Sequence, residues 1–600
     1  MASIPFIPGS APFSPEQRAW LNGYLAGMFS DANLGAPGES SAAEAQPKEP
    51  LLVMYGSQSG SAEGLAKQFA KQADQKGFAP QVMELNDYSK VDLTRESQLV
   101  VITSTWGEGD PPDNAMEFWN FIKEESAPKL ENLNYAVLAL GDTNYTEFCG
   151  AGKNFDERLA ALGAKRITDR IDCDVDFEDT AEKWICELWG KLKGGQASSL
   201  SRDGAAATNG SAQISTADAP VEQETMWSRK NPFSAKLITN RKLNRAGSAK
   251  DTRHFEISLE GSDLQYEVGD ALGVYGLNCP ELADEIIAGL GCDGEEAVLD
   301  SDGNETSLRH ALITKSVITK PQSALVKYFA EKSGAADLQS LMLAENKDKL
   351  NDWLWGREVI DLLVGYPSVK LEPGEFVGML GKLQPRLYSI SSCPNAHPGE
   401  VHLTVAAVRY ESLGRGRRGV CSTHLADRVK LNESPVPVFI QKSQGFRLPE
   451  NKDLPVIMVG PGTGIAPFRA FLEERRVSGA KGKNWLFFGD QKASCDFLYQ
   501  DELEAMQAEG VLSRLDLAFS RDQKEKIYVQ TRMLEAASEL WGWLEAGAHF
   551  YVCGDAKRMA KDVAEALHKV IATEGGKTPG QAAEYVSQLK KDKRYQRDVY

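Results

Sequence analysis

Apolar runs of strand length, with Thr103 the one polar residue in them, occur at residues 51–55, 99–103 and 135–140, the pattern of strands buried on both faces. Each run leads into a loop rich in small, polar and aromatic residues, at 56–63, 104–112 and 141–145, with helical spacing between the runs. Strands ending in such loops and alternating with helices predict a doubly wound sheet, with its ligand at the C-terminal strand ends. The same texture returns late in the chain, with strands expected at 455–459, 485–489, 515–519 and 549–552 and a glycine-rich loop at 460–469. Between the two, from Asn231 onward, the pattern is short strands that alternate apolar and polar positions. These fall at 253–259, at 266–275 as a strand pair or bulged strand, at 386–392, and at 401–408 ending near Tyr410. Residues 280–375 are mainly helical in pattern and predict an insertion into a β-barrel.

Two stretches break this order. Ser14, Pro15 and Gln17 suit a helix N-terminus, and Trp20, Leu21, Tyr24, Leu25 and Met28 follow at helical spacing. That apolar face must bury somewhere, on the next domain or in self-association. Residues 30–49 read as a tether, and residues 194–225, nearly free of large apolar side chains, as a flexible linker. The expected units are an N-terminal helix and tether (1–49), a first α/β unit (50–193), the linker, a barrel with its insertion (226–448) and a second α/β unit (449–600).

Composition narrows the class. The 600 residues are 42% hydrophobic with a net charge of -18, which disfavours a general nucleic-acid binder and permits docking to a basic partner. Residues 101–190 hold 19 acidic and 8 basic side chains, an acidic face beside the first set of loops. The nine cysteines include no C-x-x-C pair, so neither a disulfide framework nor an iron–sulfur site is expected. No apolar run approaches the ~20 residues of a membrane span, and the N-terminus lacks a basic leader or an apolar signal core, so a cytoplasmic protein is expected.

The candidate chemistry is anion binding beside stacking rings. The loop after residue 55 offers backbone N–H groups and Ser hydroxyls at a helix start, without the Lys of a nucleotide P-loop, which suits a flavin monophosphate. Trp106 and Tyr145 are placed to flank a ring. Arg386 can grip a phosphate with its planar fork, and Tyr388, two residues on, points from the same face where it can stack on a flat cofactor. Residues 419–425 offer a second phosphate cradle. The loop 460–469 lacks the strict G-x-G-x-x-G spacing but lets a backbone approach a pyrophosphate. Arg521 and Lys526 supply the charge for a 2′-phosphate, favouring NADPH over NADH.

The stretch from Arg386 to Ser392 resembles the FAD-binding strand of the ferredoxin-NADP reductase superfamily, and the first three loops in order resemble flavodoxin. Together the motifs, over residues 51–600, resemble the diflavin reductases. Residues 104–109, 483–489 and 594–600 are most similar to the flavoprotein component of NADPH-dependent sulfite reductase, and the helix from Ser14 resembles its N-terminal segment. The microsomal P450 reductases carry a membrane anchor that has no counterpart here, and Trp106 stands where some sulfite-reductase flavoproteins carry a non-aromatic residue.

This resemblance implies a flavodoxin-like domain, an FAD-binding antiparallel β-barrel with helical insertion, and a Rossmann-like NADPH-binding domain. It implies that FMN is held by Ser57, Gln58, Ser59, Gly60, Ser61, Ala62, Ser104, Thr105, Trp106 and Gly107, and by Leu140, Gly141, Asp142, Thr143, Asn144, Tyr145, Thr146, Glu147, Phe148 and Cys149. FAD falls to Thr319, Arg386, Leu387, Tyr388, Ser389, Thr404, Val405, Ala406, Tyr410, Gly419, Val420, Cys421 and Ser422. NADPH falls to Ser520, Arg521, Lys526, Ile527, Tyr528, Val529, Gln530 and Asp562. Ser389, Cys553 and Asp598 surround the hydride-transfer position, and Tyr600 covers the FAD ring. The implied partner is a siroheme and iron–sulfur hemoprotein, since no such ligand pattern lies in this chain, and self-association is assigned to the N-terminal segment. No metal is implied. A haem monooxygenase as acceptor and an NADPH-independent flavin storage module are the competing readings.

Overall fold

The computed structural model describes residues 48–192, apart from 58–59, 107–108, 143–146 and 176, and residues 226–600, apart from 444. The expected N-terminal helix, the linker and all but the end of the tether lie outside the described residues.

The first unit is a parallel sheet of β1 (Glu49–Gly56), β2 (Phe78–Glu84), β3 (Gln98–Ser104), β4 (Asn134–Leu140), β5 (Lys165–Arg166) and β6 (Ile171–Cys173). The order is β2-β1-β3-β4-β5, with β6 also paired to β4. Val53, Val100 and Leu138 bury one face under Phe69 and Trp189, whose rings stack at 4.5 Å. Leu52, Val101 and Val137 bury the other under Phe118 and Phe155. Burial on both faces is why these strands read as continuous apolar runs. Edge strand β2 has only two buried positions and no such run.

The second unit is antiparallel. It contains β7 (Phe233–Lys242), β8 (Thr252–Ser258), β9 (Ala271–Val274), the small hairpin β10 (Ala297–Leu299) and β11 (Glu305–Ser307), β12 (Arg386–Ser389), β13 (Glu400–Ala406), β14 (Arg409–Ser412), β15 (Arg415–Arg418) and β16 (Pro435–Gln441). Six strands run in the order β12-β9-β16-β7-β8-β13, and a bridge between Ile390 and Leu403 joins the two ends into a barrel. Two expectations need correction. Of residues 266–275 only Ala271–Val274 is strand, because Gly269 at φ 95° and the Asp270 N–H bond to the Glu267 carbonyl make the preceding residues a turn. Residues 401–410 are not one strand: β13 stops at Ala406, and β14 pairs instead with β15. The insertion runs from helix Pro280–Leu290 to helix Pro373–Gly378 around Ile286, Leu312, Phe329 and Phe376, and it carries the β10–β11 hairpin as well as helices.

The third unit is a parallel sheet of β17 (Val456–Val459), β18 (Asn484–Asp490), β19 (Arg514–Phe519), β20 (His549–Gly554) and β21 (Tyr595–Val599), in the order β19-β18-β17-β20-β21. Strand β21 was not anticipated by the periodicity.

The units meet through polar side chains. Tyr499 of the third bonds His254 (2.9 Å) and Thr404 (2.7 Å) of the barrel, and the Arg469 guanidinium donates to the Ser391 carbonyl at 2.6 Å. Burial and the Arg469 charge push the His254 imidazole down to about 2, so it stays neutral in this interface. The first unit touches the third where Arg597 pairs with Asp113 (Nε to Oδ2, 2.9 Å) and the Ser587 hydroxyl donates to Glu117 at 2.9 Å. Trp106 packs against the core that contains Val599. Among the described residues no helix is long and apolar enough to cross a membrane.

Candidate functional site

At the first sheet, register places Gly56 beside Thr103 and Ser104 beside Leu140, so three loops leave one edge together. Gly60 at φ 88° turns the chain into helix Ser61–Gln75, whose first N–H groups face the cradle with the positive end of the dipole. The Ser57 N–H donates to Asn114 Oδ1 at 2.8 Å, while Ser57 Oγ is buried with no partner among the described residues. A buried hydroxyl left without a partner costs free energy unless a ligand satisfies it. This orphaned oxygen therefore fits a phosphate group. A Cβ on Gly141 would lie 2.7 Å from the Cys149 nitrogen, so this loop folds tightly on the chain that follows. Burial raises the Cys149 thiol far above its ordinary range, which makes it a packing group and no nucleophile. Gln58, Ser59, Gly107, Thr143, Asn144, Tyr145 and Thr146 lie outside the described residues, so of the expected ring-flanking pair only Trp106 is placed.

In the barrel, Arg386 and Leu387 are exposed and Tyr388 and Ser389 half-buried. Lys320, in the insertion, is half-buried. Burial lowers its ammonium pKa, Asp142 of the first unit opposes that shift, and Arg386 adds to it. Asp142 and Arg386, named for two different cofactors, thus act on one half-buried cation. The Thr404 hydroxyl is spent on Tyr499, and Thr404, Val405 and Ala406 pair with His254, Arg253 and Thr252 of β8. At 419–422 the Gly419 N–H donates to the Val408 carbonyl at 2.9 Å, and Ser422 Oγ accepts from the Val408 N–H at 3.2 Å. A Cβ on Gly419 would sit 2.7 Å from that hydroxyl, so only glycine fits.

Ser389, Cys553 and Asp598 come together although 209 residues separate the first from the last. The Ser389 hydroxyl donates to Asp598 Oδ2 at 2.5 Å, and Cys553 Sγ lies 3.7 Å from the same oxygen. Cys553 and Asp598 are register partners on β20 and β21, which fixes that spacing. Burial raises the Asp598 carboxyl above the ordinary range, against the lowering effect of its Ser389 and Cys553 hydrogen bonds. Burial also raises the Cys553 thiol well above its usual value. Tyr600 is held in place: its N–H donates to the Gly554 carbonyl (3.0 Å), its carbonyl accepts from Ala556 (3.1 Å), and its hydroxyl shares a hydrogen with Thr463 at 2.7 Å. Tyr600 as a whole residue is exposed.

Arg521 and Lys526 stand exposed in the loop after β19, and the Ser520 N–H donates to the Asp490 carbonyl at 2.9 Å. Gln530 and Asp562, expected separately, bond each other at 2.9 Å. Tyr528 is exposed, whereas Val529 points into the sheet core and is a packing residue. A Cβ on Gly464 would meet the Cys553 carbonyl at 2.2 Å, so the glycine loop reaches the site by direct backbone approach.

Sequence reasoning missed Asn114, Thr463 and Lys250. Lys250 pairs with buried Asp490 at 2.5 Å and lies by Gly462, a cation brought from the barrel to the glycine loop. No local pattern marks any of the three.

The chain matches three family models in order: a flavodoxin over residues 53–189, an FAD binding domain over 226–424 and an oxidoreductase NAD-binding domain over 458–565. It is 44% identical to the sulfite reductase (NADPH) flavoprotein alpha-component of Bacillus subtilis strain 168, over 97% of this chain and 95% of that protein. It is also 44% identical to the protein of the same name from Vibrio parahaemolyticus, over 98% of this chain and 93% of the other.

Proposed function

The chain belongs to the family of sulfite reductase (NADPH) flavoprotein alpha-components, and from that footing we propose that it feeds electrons from NADPH to sulfite reduction. It is an NADPH-dependent oxidoreductase that uses FAD and FMN. Electrons pass from NADPH through FAD to FMN, then to the siroheme and iron–sulfur hemoprotein component that reduces sulfite to sulfide. When bound, the flavins supply the change from two-electron acceptance to one-electron delivery. The observation that carries this order is strand β21, where Asp598 accepts from Ser389 of the barrel at 2.5 Å and Arg597 pairs with Asp113 of the first unit at 2.9 Å, so the three units meet along one strand.

The chain's own residues bind and orient. Ser57, Gly60 and the start of helix Ser61–Gln75 hold one phosphate, and Trp106 backs the ring beside it. Arg386 and the 419–422 stretch hold the phosphates of the second cofactor, and Tyr388 stacks on its ring. Arg521 and Lys526 hold the 2′-phosphate of NADPH. Ser389, Cys553 and Asp598 line the position where hydride leaves nicotinamide, with Tyr600 over it. The units are 50–193, 226–448 and 449–600, with the segment 194–225 between the first two. Cytoplasmic placement is consistent with the nine free cysteines.

Acid extraction is expected to release one FMN and one FAD per chain, and NADPH-reduced protein to pass electrons to the hemoprotein that co-purifies from source cells. Recovery of a single flavin type, or no transfer to that partner, would defeat the reading. Self-association is assigned to the apolar stripe of residues 14–28. Light scattering should give a protein starting at Pro50 a smaller assembly mass with intact ferricyanide reduction, and an unchanged mass would leave the stripe as packing.

A further inference from the structure

We propose that His254, Glu256 and His402, on the barrel face turned to the third unit, form a binding site for a divalent transition metal of the zinc class. Strands β8 and β13 are antiparallel neighbours, with Glu256 the register partner of His402 and Thr404 that of His254. Residues two apart on a strand share a face, and directly opposite residues share it too. Register alone therefore sets the three side chains on one side of the strand pair. One donor atom from each lies within 4.8 Å of the others. His254 Nε2 stands 3.1 Å from Glu256 Oε1, and the His254 and His402 ring centroids are 5.0 Å apart. Ligands about 2.0–2.2 Å from a tetrahedral zinc stand about 3.3–3.6 Å from one another. The His–Glu edge is already close to that spacing, and an inward shift of about 1 Å brings the third donor to it.

The surroundings hold these donors in place. His254 Nδ1 meets the Tyr499 hydroxyl at 2.9 Å, which leaves Nε2 as its ligand nitrogen. Glu256 Oε2 accepts from the Thr239 hydroxyl at 2.6 Å, which leaves Oε1. Metal-binding histidines and carboxylates are oriented by outer bonds of this kind on their second polar atom. His402 is 2% exposed; its Nε2 meets Glu400 at 3.1 Å, and its Nδ1 is buried with no partner among the described residues. A buried ring nitrogen without a partner costs free energy that a ligand recovers. Burial pushes the His254 imidazole down to about 2 and that of His402 down to about 4, so both are neutral, the form that binds metal.

A second set, His397, Glu400 and His402, overlaps the first through His402. There His397 Nε2 faces Glu473 at 3.1 Å, a carboxylate that also takes the Arg469 guanidinium and the Cys393 N–H, each at 2.9 Å. His397 is thereby tied to the third unit, and the first set is the freer one. Arg469 brings a positive charge near the site, but Glu473 and Glu502 pair with it at 2.9 and 2.7 Å. Glu256 and Glu400 remain to offset a divalent ion. Two imidazoles and one carboxylate suit zinc, whereas magnesium and calcium prefer oxygen donors. Three protein ligands leave a fourth position for water, and Glu256, with 30% of its side chain exposed, gives the ion a way in. An ion there ties β8 to β13 beneath Tyr499.

The test is zinc binding to the full-length protein with its flavins in place, freed of metal by a chelator and titrated by calorimetry. Wild type should take up one zinc per chain, excess magnesium should not displace it, and zinc-edge X-ray absorption should show two imidazole nitrogens. Glu256→Gln, which keeps the size of the side chain, should weaken zinc about tenfold or more, and Thr239→Val, which leaves all three ligands, about tenfold. His397→Gln should stay within about threefold of wild type. Because Glu256 and Thr239 are only half-buried, their variants spare the interface core, and unchanged flavin absorbance confirms that each is folded. No zinc on wild type, or zinc that Glu256→Gln and Thr239→Val both leave at wild-type affinity, overturns the site. Loss on His397→Gln with Glu256→Gln unaffected overturns it as well, by moving the ion to the overlapping set.

Discussion

Asp598→Asn is expected to slow reduction of bound FAD by NADPH about 10²-fold, with flavin content unchanged. As hydride leaves, the nicotinamide ring becomes cationic, and a buried carboxylate beside it stabilises that charge in surroundings where water cannot screen it. Removing one preorganised electrostatic partner of this kind costs roughly 10²–10³ in rate. The geometry supports the assignment: Asp598 is fixed by a 2.5 Å bond from Ser389 and by its register partner Cys553. The same argument predicts a pH signature. Burial raises the Asp598 pKa, so the carboxylate is the minority form at acid pH and the wild-type rate falls as pH drops through that raised value. The Asn variant has no such limb. Anaerobic stopped-flow reduction over a pH series measures both. A variant with the wild-type rate, or with the wild-type acid limb, would show that the carboxylate takes no part in the hydride step. For stability the sign follows from linkage: the neutral form is the favoured one in the fold, so this group's contribution is full below the ordinary Asp range and declines as pH rises through the folded value.

Arg521→Ala combined with Lys526→Ala is expected to raise the Kd for NADPH about 10²-fold and to change that for NADH less than about threefold. A hydrogen bond to a charged group is worth about 1.5–3 kcal/mol. Both side chains stand in solvent, so the lower figure applies to each and the pair comes to about 3 kcal/mol. NADH has no 2′-phosphate to lose. Titrations of the two coenzymes against wild type and double variant decide it, and equal losses would move the 2′-phosphate site elsewhere. In the same series a chain lacking Tyr600 should gain in relative use of NADH. Displacing the ring, with its Thr463 bond, draws on binding energy that the 2′-phosphate contacts supply and NADH lacks.

What the sequence determined by itself lies where burial and backbone preference are local. Residues 51–55, 99–103 and 135–140 declare themselves as strands because both their faces are buried, so every position but Thr103 is apolar whatever lies across from it. The loops after them are legible because a phosphate cradle needs small residues and free N–H groups at a helix start. Arg386–Ser389 is a strand, but shorter than the 386–392 expected, and its burial runs from two exposed residues to two half-buried ones with no alternation. The tertiary structure decided whatever depends on partners far along the chain. Residues 266–270 look extended in composition, yet Gly269 and the Asp270 turn end them, and β13 stops at Ala406 because the next residues pair within their own hairpin. Strand β21 is strand because β20 takes it as a parallel neighbour. Its pattern of Tyr595, Gln596, Arg597, Asp598 and Val599 instead serves three neighbours: the first unit through Arg597, the barrel through Asp598 and the core through Val599. Lys250 beside Gly462 and Asn114 on Ser57 are equally silent in the sequence. Hydrophobic period reports how each residue meets its nearest layer, and it carries no information about which distant side chain the folded topology sets against it.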